Sequence, residues 1–232
     1  MEFIDYSRQE QFNNRTRIES FKYNGYKIIV VGCGGIGFWA AYMCAMLGFN
    51  RFILFDADKV EQSNLNRIPL NPRWVGKPKV LALKAAIRAV RPSTAISVVN
   101  AHCLPNAQNF KDMLNSYDCI VLDCTDDARV QIQLNQQAAY CGAMYIKMGY
   151  EGTQVGVYNN TSSAWIPDDY QPGYRTTESN VISSSVAAAF GILRMINSNN
   201  NNEARNDFTI NLENLVNAPQ GVYGLNATGE RR

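Results

Sequence analysis

The 232 residues carry 22 basic and 20 acidic side chains, a net charge of +2, so no global field draws the chain to nucleic acid or an anionic membrane. Any anion site must be built locally. Six cysteines with no C-x-x-C spacing predict no zinc and fit a reduced, cytoplasmic setting, while the polar start Met1-Glu2-Phe3-Ile4-Asp5 and the lack of a bilayer-length apolar run predict neither a signal peptide nor a membrane anchor.

The length suits one α/β domain over residues 1–232, with residues 1–24 as an N-terminal arm. The stretch from Lys27 to Asp58 then organises the rest. Its β-branched run Ile28 to Val31 predicts a buried parallel strand that runs into Gly32, Gly34 and Gly37 at G-x-G-x-x-G spacing, with Gly35 inside the turn. Such a turn lets a phosphate approach the backbone. The small apolar run from Gly35 to Leu47 predicts a helix whose first N–H groups face that phosphate. A second strand, Arg51 to Phe55, ends on Asp56, at about the 20-residue spacing at which a carboxylate reaches a ribose hydroxyl.

Lys59 to Val75, with Pro69 and Pro72, predicts a long irregular crossing. A second helix starts at Gly76-Lys77-Pro78-Lys79 and runs to Pro92; a strand over Ala95 to Asn100 and a short amphipathic helix over Asn106 to Asn115 follow. Cys119 to Asp123 reads as a buried strand, and Thr125-Asp126-Asp127 as the cap of a helix reaching Ala139. Met144 to Gly149 predicts another strand, with Gln154 to Tyr158 extended after it. Residues 159–180 have no period and read either as a functional crossover loop or as a partly disordered segment. Val181 to Ile196 predicts a striped helix, 197–207 a polar low-complexity turn, Phe208 to Leu215 a late strand, and the tail from Pro219 a loose end. Strands alternating with helices predict a Rossmann-like, mostly parallel sheet with helices on both faces and an antiparallel or extended C-terminal portion.

In such a sheet a ligand sits beyond the carboxyl ends of the strands. The residues expected there are the glycine turn, Asp56 and Asp58, one of which can take the ribose hydroxyls, Asn64 and Arg67 with Lys79 as a fork of donors and a point charge for a polyphosphate, and Asp126 for Mg²⁺ through carboxylate and waters. Asp127 reads as a helix-terminal charge and Asp123 as a structural strand end. Cationic donors together with Mg²⁺ imply a triphosphate, and so ATP, rather than a dinucleotide whose single pyrophosphate the glycine turn satisfies alone.

The chain resembles the ThiF/MoeB/HesA group, related to ubiquitin-activating enzymes. The resemblance rests on six motifs in order: Tyr6-Ser7-Arg8-Gln9, Gly32-Cys33-Gly34-Gly35-Ile36-Gly37, Asp56-Ala57-Asp58, Ser63-Asn64-Leu65-Asn66-Arg67, Gly76-Lys77-Pro78-Lys79 and Asp123-Cys124-Thr125-Asp126. It implies ATP-dependent adenylation of the C-terminal carboxylate of a small ubiquitin-like or sulfur-carrier protein with a Gly-Gly end. By the same resemblance Asp56 holds the ribose with Asp58 nearby, and Asn64, Arg67 and Lys79 surround the phosphates. Asp126 takes Mg²⁺, and Arg8 reaches the terminal phosphate of a partner protomer's ATP, which implies a homodimer.

The chain departs from that pattern in three ways. It lacks the two C-x-x-C pairs of many relatives, and no cysteine follows Cys141, so an acyl-adenylate without a later thioester is expected. Gln131 stands where relatives often carry an arginine after the Thr-Asp motif. His102 and Cys103 are adjacent, and read as strand residues they face opposite ways, which argues against a dyad. Two other readings stay open: activation of a small-molecule, peptide or RNA carboxylate on the same fold, and a nucleotide-binding partner subunit without turnover.

Overall fold

The computed structural model describes residues 25–114, 118–159, 179–197 and 207–216. The apolar runs become β1 (Lys27–Val31), β2 (Arg51–Phe55), β3 (Ala95–Val99), β4 (Cys119–Asp123) and β5 (Met144–Glu151), all parallel where they pair. Then β6 (Gln154–Tyr158) and β7 (Phe208–Asn211) add antiparallel strands, and the order across the sheet is β3-β2-β1-β4-β5-β6-β7. Chain direction across the sheet reverses between β1 and β4, which opens a crevice at the carboxyl ends of those two strands. Register brings Val31 level with Phe55 on one side and Asp123 on the other. Gly32 N–H donates to the Phe55 carbonyl at 2.9 Å and Cys124 N–H to the Val31 carbonyl at 2.9 Å, so the segments leaving β1, β2 and β4 start side by side.

Period-two alternation sorts the two faces. Ile28, Val30, Phe52, Leu54, Ile120 and Leu122 are buried beneath α1 (Gly35–Met46), α2 (Lys79–Val90) and α5 (Val181–Asn197). Ile29, Val31, Val121 and Tyr145 are buried on the opposite face with residues of α3 (Gln108–Leu114) and α4 (Ala128–Tyr140). Because α1 packs on the sheet and on both α2 and α5, it is apolar all round rather than striped. Phe38 and Cys44 are both buried, on different sides of the helix.

Two expectations change. Residues 59–75 do cross without a long helix, yet two 3-10 turns, Gln62–Asn66 and Pro72–Trp74, order the crossing. The late strand expected to Leu215 stops at Asn211, and Leu212–Val216 turns into a short helix, α6. The Asn211 side-chain oxygen accepts the Glu213 N–H at 2.9 Å, a local capping bond that competes with continuing the ladder. The arm 1–24, most of the crossover stretch 159–180, most of the low-complexity turn 197–207 and the tail from Pro219 lie outside the described residues. Both flanks of residues 160–178 are tied to the scaffold. Asn159 N–H donates to the Asp207 carboxylate at 2.8 Å and its side-chain oxygen accepts from Arg194 at 3.1 Å. At the other flank Asn180 caps α5 through the Ser183 N–H at 2.7 Å and donates to the Gly152 carbonyl at 3.0 Å. Among the described residues no helix is long and apolar enough to cross a membrane.

Candidate nucleotide site at the β1–β4 crevice

The glycine turn is fixed by what surrounds it. Gly32 has φ +90°, and a Cβ there would lie 2.7 Å from the Cys124 carbonyl oxygen; at Gly37 a Cβ would lie 1.8 Å from the Gly32 carbonyl oxygen. Only glycine lets α1 begin this close to β1. Gly34 is the N-cap of α1 and supplies no side-chain cap, so the first N–H groups of the helix are left to the crevice.

Asp56 ties the turn to β2. Its Oδ2 accepts the Cys33 N–H at 2.7 Å and its Oδ1 the Asp58 N–H at 2.7 Å. Burial pushes this carboxyl up, opposed by the Lys79 charge and those two N–H donors and reinforced by the charge of Asp58. Asp58 then accepts twice from Lys79: its carbonyl takes the backbone N–H at 2.9 Å and its Oδ2 the ammonium at 2.8 Å. One chain of contacts therefore runs from the glycine turn through Asp56 and Asp58 to the start of α2. Of the two carboxylates expected at the ribose, Asp56 spends both oxygens on backbone donors, while the Asp58 side chain is 44% exposed.

Arg67 and Asn64 arrive on the crossing. The Arg67 stem packs against Gly35, its Cδ 3.1 Å from where a Cβ would stand, and Ser184 of α5 closes the same gap at 3.1 Å. Its guanidinium donates to the Ser63 carbonyl at 2.9 Å and the Asn66 side chain at 3.0 Å, and Trp39 holds the Arg67 carbonyl at 2.9 Å. Asn64 is buried, and its Oδ1 accepts the Glu61 N–H at 3.0 Å in a reciprocal cap of the 3-10 turn. Asn64 thus shapes the turn that carries Arg67.

On the β4 side Asp126 is exposed at the mouth of the crevice. Its neighbours are pinned. Asp127 caps α4 through the N–H groups of Arg129 at 2.9 Å and Val130 at 3.3 Å. Thr125 gives its N–H (3.0 Å) and its hydroxyl (2.7 Å) to Asp123, a fully buried carboxylate that also accepts from the Tyr145 hydroxyl at 2.7 Å. Lys147 of β5 is buried too, 3.9 Å from Asp123, and its ammonium donates to the Thr125 carbonyl. Gln131, at the position where an arginine was expected, donates to that same carbonyl at 2.9 Å. Sequence reading placed Asp123 as structural and passed over Lys147; the available signal was a lone lysine inside the apolar run Tyr145-Ile146-Lys147-Met148.

No group of three or more His, Cys, Asp or Glu residues that could hold a metal occurs among the described residues. Mg²⁺ commonly takes one or two carboxylates and completes its shell with substrate phosphates and water, and the exposed Asp126 fits that mode of binding. Burial pushes the Cys33 thiol well above its ordinary value, helped by the Asp56 charge, and burial does the same to Cys124 and Cys44; Cys103 is pushed up to about 12. His102 and Cys103 follow β3 rather than lying in a strand; His102 is exposed and Cys103 buried. Arg8 lies outside the described residues.

A doubly wound sheet with a glycine turn, a tethered lysine and acidic strand ends at its switch point defines an α/β protein of the Rossmann-like class, with a crevice whose chemistry suits a phosphate. The chain belongs to the ThiF family, which it matches over residues 6–214. It is 29% identical over 160 residues to ubiquitin-like modifier-activating enzyme 5 of Xenopus laevis, covering 65% of this chain and 40% of that protein. To molybdopterin-synthase adenylyltransferase of Escherichia coli (strain K12) it is 33% identical over 132 residues, covering 54% of this chain and 52% of that protein. The chain thus spans about half or less of the length of these curated relatives. A solved structure of E. coli MccB with MccA-N7isoASN superposes with a TM-score of 0.67 at 19% identity, covering 89% of this chain and 70% of the other.

Proposed function

We propose that this chain uses ATP to adenylate the C-terminal carboxylate of a small ubiquitin-like or sulfur-carrier protein, releasing pyrophosphate. One observation carries the reading: the continuous tether from the Cys33 N–H through Asp56 and Asp58 to the Lys79 ammonium. It sets a cation beside a turn that suits a phosphate. The names of the curated relatives, a modifier-activating enzyme and an adenylyltransferase, support the same chemistry.

In the proposed step a carboxylate oxygen of the carrier attacks the α-phosphorus of ATP. The bond from that phosphorus to the bridging oxygen breaks, the electron pair leaves with pyrophosphate, and the acyl-adenylate remains. The nucleophile is already ionised, so no general base is required. Charge grows on the phosphate oxygens, which the N–H groups opening α1, Lys79 and Arg67 meet in place. Asp58 holds Lys79 until a phosphate competes for it, and its partly exposed carboxylate faces the ribose edge. Asp126 would hold a Mg²⁺ ion that neutralises phosphate charge. Arg8 from a second copy of the chain completes the cationic set, which makes the active form a homodimer, in a cytoplasmic setting. The raised thiols of Cys33 and Cys124 do not suit an acyl acceptor, since the thiolate is the nucleophile.

Pyrophosphate exchange into Mg·ATP, driven by a candidate carrier ending in Gly-Gly, tests the reading. Exchange that depends on the terminal carboxylate and falls in Lys79→Met supports it; no exchange with any such carrier overturns the carrier as substrate. A second reading, a peptide carboxylate, draws on the likeness to MccB, which has been solved both with ATP and with MccA. Exchange driven by short peptides and by no folded carrier would select it.

A further inference from the structure

The Asp123–Lys147 pair has no role in the step just described, yet both charges are almost wholly buried, at 0% and 6% side-chain exposure. Two buried ions cost desolvation that their mutual attraction need not repay. A pair of that kind calls for a reason in what it touches. Three of its hydrogen bonds converge on one residue of the crevice. Asp123 takes the Thr125 N–H and hydroxyl, and Lys147 reaches the Thr125 carbonyl, which Gln131 also engages from α4. Tyr145 closes the cluster, its hydroxyl 2.7 Å from Asp123 and 3.3 Å from the Gln131 carbonyl.

The Thr125 carbonyl belongs to the peptide plane that leads into Asp126. Two donors hold its oxygen, and Asp123 holds the preceding peptide plane through the Thr125 N–H, so rotation of the plane is restrained and the Cα of Asp126 is positioned from one side. Asp127 fixes it on the other by capping α4. The backbone that carries the exposed Asp126 carboxylate is therefore ordered before any cation arrives.

We propose that Lys147 and Gln131 are positioning residues which, through the Thr125 carbonyl, aim Asp126 at the Mg²⁺ of bound Mg·ATP. This rests on the nucleotide reading above. Neither residue touches the nucleotide; each acts on the backbone that presents the metal-binding carboxylate. Lys147 lies on β5, two strands from β1, so its charge belongs to this clamp rather than to the phosphates.

The test is a pair of ATP titrations on the full chain, one in EDTA and one in excess Mg²⁺, for wild type, Lys147→Met, Gln131→Leu and Asp126→Ala. The ratio of the two affinities reports the metal arm alone. Loss of a residue that orients a metal ligand commonly costs about 10- to 100-fold in metal affinity, and a fall of that size in the ratio is expected for Lys147→Met and Gln131→Leu, with affinity in EDTA unchanged. Adding Asp126→Ala to either is expected to lower the ratio no further. Variants that keep the wild-type ratio, or that lose affinity equally with and without Mg²⁺, overturn the proposal. Should Lys147→Met fail to fold, as its thermal melt would show, Gln131→Leu decides by itself because it leaves the buried ion pair intact. A wild-type chain that binds no ATP in either buffer overturns the nucleotide reading itself, and this inference falls with it; wild type with a clear ratio beside unchanged variants overturns the positioning alone.

Discussion

Two aspartate–lysine pairs flank the same crevice, and burial gives them different work. Asp58 and Lys79 meet at 2.8 Å with 44% and 14% of their side chains exposed. Water screens such a pair, so it adds at most about 1 kcal/mol to stability, and the ammonium can leave its partner for a phosphate. Asp123 and Lys147 stand 3.9 Å apart and almost dry. Neither can be rehydrated without opening the carboxyl ends of the interior strands β4 and β5, so their charges serve geometry. The same two residue types form a partly exposed pair on the β2 side and a buried frame on the β4 side.

Breaking the frame should have the largest effect on folding. Asp123→Asn leaves the Lys147 ammonium buried without a counter-charge and is expected to lower unfolding free energy by about 3–5 kcal/mol, read from urea midpoints. Adding Lys147→Met removes the stranded charge and should regain part of that loss; a double variant no better than Asp123→Asn would mean that the hydrogen bonds to Thr125, and not the charge, carry the cost. Lys79→Met sharpens the contrast from the other side. It should change stability by less than about 1 kcal/mol while pyrophosphate exchange falls about a hundredfold or more, as when one preorganised donor to a transition-state charge is lost. A smaller effect is expected for Tyr145→Phe, which deletes one donor to a buried carboxylate and should cost about 1.5–3 kcal/mol in the same urea series, with ATP binding in EDTA unmoved.

The smallest effect is a slope with pH. Burial raises the Asp56 carboxyl, against the Lys79 charge and its two N–H donors. A native carboxyl that binds its proton more tightly than the unfolded one favours folding at low pH and gives that contribution up as pH rises through the native value. Relative to Asp56→Asn, wild type should therefore lose stability above about pH 4, the unfolded carboxyl value, until the raised native value is passed. Parallel pH series of urea midpoints for the two proteins would refute this.

What the sequence made legible was local. The strands from Lys27 to Val31 and Arg51 to Phe55, the helix between them and the glycine turn could be read because periodicity, β-branching and glycine spacing all act within a few residues. Family membership followed from motifs of the same short range. The end of β7 was missed because one capping bond from Asn211 outweighs the apolar alternation that continues past it. Asp56 was legible as a strand-end acid, but not that two backbone N–H groups would occupy it, since Cys33 comes to it from the turn that follows the neighbouring strand. Lys147 was hidden for the same reason: its partners Asp123 and Thr125 reach it only through the β4–β5 register. Residues whose role depends on a neighbour across the sheet leave no mark in their own segment.

The anchored flanks of residues 160–178 carry a consequence for how the fold can diversify. Asn159 is held by Asp207 and Arg194, Ser179 by Asn66, and Asn180 by Gly152 and the start of α5. Closing a longer loop between fixed posts costs only about 0.6 kcal/mol for each doubling of its length. The intervening segment can therefore be lengthened, shortened or exchanged with little strain on the strands that carry Asp56, Asp58 and Asp126. On the function proposed above, a change of length between these posts would leave the residues proposed to meet ATP in place.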